Sequence, residues 1–341
     1  MAATLLDVAA LAGVSAKTVS RVINNEPGVP PATRERVLSA VAQTDYSPNA
    51  SARSLRTGRS GIIGLAVPEL NQPFFAEIAD RIAAEARRHG LTVVLGVTGE
   101  HGEGEASFLA QHRELDGTIM YWQGMSTAQL RDAAAGHPLV LLGERHHDAV
   151  DRVTMDNDQG IGLVVSHLHA LGRTRIAALG APLPGARGHA AGRTRMAAWR
   201  AHMKHHALAI DEDRVIASNE WRRTDGAAAI RTLLSRQVPF DAVIAFNDGL
   251  ALGALRQLAQ AGVRVPDDVA VTGFDNLEIS RYTSPSLTTV SPFLAAYAAD
   301  AVSLLRRRIE SPSQPPRTVM EDVALLARDS TVGGEAPWPH G

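Results

Sequence analysis

The 341-residue chain has no cysteine, which removes disulfides, thiolate metal sites and a cysteine nucleophile together and fits a reducing compartment. No run of about 18 uninterrupted apolar residues occurs, so no membrane-spanning helix is expected. The opening MAATLLDVAALAGVS lacks a basic segment followed by an apolar run and a small-residue cleavage site, and a soluble, cytoplasmic protein is the expectation. A Walker loop, an HExxH pair, a GxSxG elbow and a glycine-rich dinucleotide fingerprint are also missing, so nothing assembles a catalytic constellation and neither an enzyme nor a cofactor is implied.

Charge is near balance at a net −2, but it is unevenly spread. Residues 1–60 carry Lys17, Arg21, Arg34, Arg36, Arg53, Arg56 and Arg59 against Asp7, Glu26, Glu35 and Asp45, a net +3 that leaves −5 on residues 61–341. A basic head precedes an acidic body. At this length two or three domains with ample core are expected.

The stretch Thr4 to Asn24, TLLDVAALAGVSAKTVSRVIN, reads as two short amphipathic helices around Gly13. Leu6, Val8, Ala9 and Leu11 fall at helical spacings, Gly13 suits a left-handed helix end, and Ser15 is placed to cap the second helix. Val19, Val22 and Ile23 form its inward face, leaving Ala16, Lys17, Ser20 and Arg21 outward. Spacing alone fits a helix-turn-helix that presents side chains to the DNA major groove, and equally any helical hairpin.

NNEPGVPP then forms a loop, and Thr33 to about Thr44 reads as a third helix with Val37, Leu38 and Val41 on one face. After Tyr46-Ser47-Pro48, Asn49 can cap a segment Ala50 to Arg56 that is too short for a stable isolated helix and should be helical only when docked.

From Ile62 apolar strands alternate with helices: IIGLAV, LTVVLGV, GTIMYW, PLVLLG, RVTM, RIAALG, DAVIAF and DVAVTGF, with a helix near Phe74 to His89. That alternation implies parallel sheets covered on both faces. IIGLAVP followed by a helix ending ARRHGLTVV is echoed by RIAALGAP and a helix ending MKHHALAI, which suggests two similar α/β lobes with a ligand cleft at the carboxyl ends of the strands. Asn247-Asp248, Asp275-Asn276, Arg193 and Arg195 could satisfy paired hydroxyls, and Phe74, Phe75 and Trp221 offer flat walls for a sugar face, although Asp and Asn after strands are as readily helix caps. His202, His205 and His206 have helical spacing that could hold a metal, but read more simply as a solvated face; no metal site is assigned.

TLLDVAALAGVSAKTVSRVIN, TRERVLSAVAQTDYSPNASARSL, IIGLAVP with PFFAEI, VIAFNDGLALGAL, VRVPDDVAVTGFDN and SPSLTTV together resemble the lactose-repressor (LacI/GalR) family of bacterial regulators, from Thr4 to about Asp329. The resemblance implies an all-α helix-turn-helix head plus an α/β body of two similar parallel-sheet lobes of the periplasmic-binding-protein type. The implied domains are a head at 1–47, a hinge helix and linker at 48–60, a body at 61–330 and a flexible tail at 331–341. Lobe 1 is expected at about 61–158 and 289–317, and lobe 2 at about 159–288 and 318–330. The partners implied are a second copy, palindromic operator DNA and a small sugar or sugar acid, with the protein cytoplasmic and nucleoid-associated. By match, Leu5, Ser15, Ala16, Lys17, Thr18, Arg21 and Asn24 contact DNA, with Lys17 and Arg21 reaching guanine edges. Asn49 starts the hinge, and Leu55, with Ala52 beside it, wedges into the minor groove. Phe74, Phe75, Arg195, Trp221, Asn247 and Asp275 fall on effector-contact positions. Pro292 departs from relatives that offer a Gln side chain there, so no particular sugar is carried over. Repression released by the effector is expected; a co-repressor-dependent regulator, or a sugar-binding protein without DNA function, are the alternatives.

Overall fold

The computed structural model describes residues 3–23, 26–44, 59–183, 190–218 and 220–333. The chain divides into two compact units, residues 1–61 and 62–341. Helices α1 (Leu5–Ala12), α2 (Ala16–Ile23) and α3 (Pro31–Thr44) lie in the first. Thr4 and Asp7 start α1 by a reciprocal cap: the Asp7 amide donates to Thr4 Oγ1 (3.3 Å) and the Thr4 amide to Asp7 Oδ2 (2.8 Å). Gly13, at φ 64°, ends α1 in the left-handed conformation and returns its amide to the Ala9 and Ala10 carbonyls. Ser15 Oγ then accepts the Thr18 amide at 3.1 Å, which starts α2.

Val8, Ala9, Ala12, Val19, Val22, Val37 and Ala40 form the core of this unit. Three expected core leucines are not in it: Leu6 is 70% exposed, and Leu11 and Leu38 are 52% exposed. At 100° per residue, Leu5 lies in line with Val8, Ala9 and Ala12, while Leu6 and Leu11 project off that stripe, as Leu38 does beside Val37 and Ala40. Ala16, expected outward, is half-buried against the same core.

The second unit holds two six-stranded sheets. The first has the order β11-β5-β4-β3-β1-β2, all parallel, from β1 (Ile62–Val67), β2 (Thr92–Val97), β3 (Thr118–Tyr121), β4 (Leu139–Leu142), β5 (Asp151–Met155) and β11 (Thr318–Glu321). The second has the order β12-β10-β9-β8-β6-β7, from β6 (Ile176–Ala181), β7 (Val215–Ala217), β8 (Ala242–Ala245), β9 (Ala270–Phe274), β10 (Thr288–Ser291) and β12 (Ala324–Leu326). Among the described residues its β12–β10 pairing alone is antiparallel.

The chain therefore crosses between sheets after β5, after β10 and between β11 and β12. Two expected boundaries shift: Thr288–Ser291 belongs to the second sheet and Thr318–Glu321 to the first. Fully buried Asp151 gives the physical reason for the second shift. Its carboxylate takes Arg307 Nη2 at 2.5 Å, Arg308 Nε at 2.8 Å and the Arg317 amide at 2.7 Å, which delivers the chain to the edge of β5. Strands β7, β10, β11 and β12 escaped the sequence reading because they are three or four residues long and lack an extended apolar run.

Helices are α4 (Pro73–Arg88), α5 (Glu105–Gln111), α6 (Thr127–Gly136), α7 (Asn157–Ala170), α8 (Ala190–His205), α9 (Arg223–Ser235), α10 (Asp248–Gln260), α11 (Leu294–Glu310) and α12 (Asp329–Val332). Helix α11 lies on α4 and on β3, β4 and β5. Helices α9 and α10 approach so closely at Gly253 that an added Cβ would sit 1.9 Å from the Arg223 carbonyl oxygen. No described helix is long and apolar enough to cross a membrane.

Candidate functional site

The first candidate surface is the start of α2. Lys17 is exposed there, while Thr18 and Ser20 are half-buried, with Thr18 Oγ1 2.9 Å from Ser15 Oγ. Arg21 is less free than its outward assignment implied. Its Nη2 donates to the Pro27 carbonyl at 2.6 Å and its Nε lies 3.4 Å from Glu26, so it ties α2 to the loop that follows. Leu5 is half-buried against the helical core. Asn24, Asn49, Ala52 and Leu55 lie outside the described residues.

The second candidate is a cavity of about 80 Å³ between the two sheets, and all six expected ligand residues line it: Phe74, Phe75, Arg195, Trp221, Asn247 and Asp275. They reach it from separate segments because parallel sheets end all their strands on one side. Phe74 and Phe75 open α4 after β1, Asn247 follows β8, and Asp275 follows β9. Arg193 is exposed and does not line the cavity, and neither does Pro292.

Arg195, 3% exposed, is fixed from several directions. Nε donates to Asn157 Oδ1 at 2.7 Å, Nη1 donates to the Phe246 carbonyl, and the guanidinium carbon stands 3.6 Å from the centroid of the Phe274 ring. Its Nη1 is 3.9 Å from Asp275 Oδ1. Burial pushes the Asp275 carboxyl well above the usual carboxylate range; Arg195 opposes this, and the Asp248 and Glu144 carboxylates add to it. Asp275 also adopts φ 119°, a strained conformation for a residue with a side chain, next to Asn276 at φ 52°. Below it, fully buried Asp248 accepts Ser280 Oγ (2.6 Å), Thr289 Oγ1 (2.5 Å) and the Leu277 amide (2.8 Å). Burial pushes its carboxyl up to about 6.

Asn247 lines the cavity, yet its amide is engaged within the fold. Oδ1 accepts the Leu250 amide at 2.8 Å, capping α10, and Nδ2 donates to the Trp221 carbonyl at 3.1 Å. The helix-cap reading therefore applies, with the added effect of setting the backbone of Trp221, whose Nε1 donates to the Gly180 carbonyl at 2.9 Å.

Sequence reasoning missed several lining residues, among them Glu69, Gln72, Tyr121, Trp122, Glu144 and Arg145. The strand-end rule that picked out Asn247 also applies to Tyr121, the last residue of β3, with Trp122 after it, and to Glu144-Arg145 after β4. No sequence signal announces what holds Trp122 and Arg145 in place. The buried Glu105 carboxylate accepts the amides of Gln123 (2.5 Å), Gly124 (3.0 Å) and Met125 (2.8 Å). Arg145 then donates to the Gln123 carbonyl and stands 3.7 Å over the Trp122 ring. Among the described residues no group of three or more His, Asp or Glu side chains has the geometry to hold a metal; His206 instead packs on His169 (4.8 Å between centroids) and meets Ser166 Oγ at 2.9 Å.

Residues 4–49 match the bacterial regulatory proteins of the lacI family, and residues 165–331 match the periplasmic binding protein-like domain. The chain is 33% identical over 336 residues to the HTH-type transcriptional repressor PurR of Vibrio cholerae, covering 96% of this chain and 98% of that protein. It is 30% identical over 336 residues to the ribose operon repressor of Halalkalibacterium halodurans, covering 97% and 98%. Among solved structures it is similar to the lac repressor dimer bound to operator and the anti-inducer ONPF, with 27% identity, a TM-score of 0.82, and 97% and 99% of the two chains covered. It is also similar to the transcriptional regulator CelR in complex with cellobiose, with 33% identity, a TM-score of 0.70, and 96% and 99% covered. The capped helix pair at the start, the two parallel-sheet lobes that follow, and relatives that match along nearly the whole length place this chain in the LacI family of bacterial transcriptional regulators, as a sequence-specific DNA-binding repressor.

Proposed function

We propose that the interlobe cavity binds a small sugar or sugar derivative and that its occupancy controls release of a palindromic operator by a homodimer. The observation that carries this reading is the convergence of Phe74, Phe75, Arg195, Trp221, Asn247 and Asp275 on one cavity at the carboxyl ends of the strands. Aromatic rings cover the apolar faces of a pyranose, while a guanidinium and carboxylates satisfy its hydroxyls. At about 80 Å³ the cavity is well below the roughly 300–1,000 Å³ of drug-sized sites, so a ligand as large as the cellobiose of the CelR complex requires the lobes to part.

Lys17 reads guanine edges, with Leu5, Ser15, Ala16, Thr18 and Arg21 around it and Asn24 at the end of the same segment. The domain division is a head at 1–47, a coupling segment at 48–60 carrying Asn49, Ala52 and Leu55, and a two-lobed body to about residue 330. The effector shifts operator affinity only through its preference between two arrangements of the body, typically about 1–3 kcal/mol or roughly 5- to 150-fold. The site reads as one that binds rather than transforms: Arg195 faces Asp275 in it, and the Ser280 and Thr289 hydroxyls are spent on the buried Asp248 carboxylate beneath it. Such a repressor works where the chromosome is, in the cytoplasm.

Thermal-shift screening against neutral sugars and sugar acids, with operator anisotropy on each hit, tests the reading. A true effector at 100 times its dissociation constant stabilises the protein by about 2.7 kcal/mol. A panel without a hit, or a hit whose binding survives both Trp221→Ala and Asp275→Ala, would sink it.

A further inference from the structure

The mouth of the cavity is crossed by contacts between protein groups of the two lobes. Arg222 leads into α9 on the second lobe, and its backbone amide donates to Asp225 Oδ2 at 3.0 Å, so the side chain leaves from a fixed point. Its guanidinium meets two carboxylates of the first lobe: Nη2 lies 3.4 Å from Glu69 Oε2 and contacts Glu100 Oε1. Glu220, on its own lobe, approaches Nε at 3.5 Å. The two first-lobe loops are tied together behind these carboxylates, since the Gly99 amide donates to the Pro68 carbonyl at 3.0 Å. Gln72 Nε2 adds a neutral strap, donating to the Glu220 carbonyl and to Glu69 Oε1, both at 2.8 Å. Farther along, the Glu278 amide of the second lobe donates to Glu77 Oε1 of α4 at 3.0 Å.

We infer that Arg222 is a latch on the cleft: one guanidinium shared across the mouth by Glu69 and Glu100 biases the lobes toward closure. The charge count makes the device asymmetric. With Arg222 in place, three carboxylates share a cation; without it, Glu69 and Glu100 face Glu220 across the gap and like charges push the lobes apart. Glu69 is only 12% exposed, so its pairing is screened less than a surface pair, while Glu100 and Arg222 at 33% and 36% keep the latch within reach of salt. Effector access and escape then require this bridge to break. The inference names a control on the site assigned above and rests on that assignment for its biological meaning, but its test needs no effector.

The absence of cysteine makes that test direct. Ala106→Cys on the first lobe and Thr224→Cys on the second place spin labels at two exposed positions, and diluting labelled chain with unlabelled chain isolates the distance within one chain. The unsubstituted mouth should give mainly a short distance. Arg222→Gln and Arg222→Ala should raise the ratio of long to short distances by roughly fivefold. The exchange Arg222→Glu with Glu100→Arg should restore the short distance that Arg222→Glu alone loses, and 1 M salt should lengthen it in the parent. Circular dichroism confirms folding of each variant. Unchanged distances in folded Arg222→Gln, or an Arg222→Glu opening that the exchange does not reverse, overturn the latch. A sugar panel without a hit overturns the effector assignment and leaves these distances as they are.

Discussion

The Arg195 guanidinium and the Asp275 carboxylate lie 3.9 Å apart at Nη1 and Oδ1, both more than nine-tenths buried and beyond direct hydrogen-bond distance of each other. Arg195 is mainly held by Asn157 and the Phe246 carbonyl, so it reaches Asp275 with spare donor capacity. A hydroxyl bridging the two completes both partners, which makes this pair the polar end of the proposed site.

Arg195→Ala should destabilise the second unit by about 3 kcal/mol, the cost of leaving a buried carboxylate unpaired, with a larger loss at high pH. Adding Asp275→Asn should recover part of it, because no charge then remains to be buried. Urea denaturation at two pH values reads both effects. Equal loss in the single and double variants would show that Arg195 contributes packing alone.

Asp248 gives a pH dependence whose sign follows from its shift. Its folded carboxyl titrates at about 6 against an ordinary 3.8, so the fold holds the proton more tightly than the unfolded chain does. That contribution is complete below the unfolded value and is lost as pH rises through about 6, on the order of 3 kcal/mol in all. Asp248→Asn should therefore remove a fall in stability between pH 4 and pH 7 that the parent shows. Parallel profiles for the two proteins would refute it.

Lys17→Ala should weaken operator binding by about 1–3 kcal/mol while leaving the melting temperature and the effector response unchanged, because Lys17 is exposed. Arg21→Ala should differ by also loosening the head: it removes the bond to the Pro27 carbonyl, worth about 1 kcal/mol, and hydrogen exchange should rise in residues 26–28. Equal loss on random and operator DNA for Lys17→Ala would reduce that residue to a phosphate contact.

Glu105→Ala orphans three backbone amides at 123–125 and should cost about 2–4 kcal/mol by chemical denaturation. It should also raise the effector dissociation constant, since the loop that carries Trp122 and supports Arg145 loses its anchor. An unchanged denaturation midpoint would mean that water replaces the carboxylate.

Periodicity, strand ends and turn chemistry are local properties, and the sequence by itself determined what depends on them: the capped helix pair around Gly13, eight of the twelve strands in the described residues, and the polar and aromatic candidates from which the family resemblance picked the six that meet at the cavity. Tertiary structure alone decided the rest, for reasons of packing and pairing between distant segments. Helix phase put Leu5 rather than Leu6 against the core, and the Pro27 carbonyl captured Arg21. The Asp151 network sent Thr318–Glu321 to the first sheet, and the Arg222 bridge to Glu69 and Glu100 joined loops that no local pattern relates. A carboxylate far along the chain can settle where a strand pairs or a cleft closes, because charge removed from water must find its partner wherever the fold brings one.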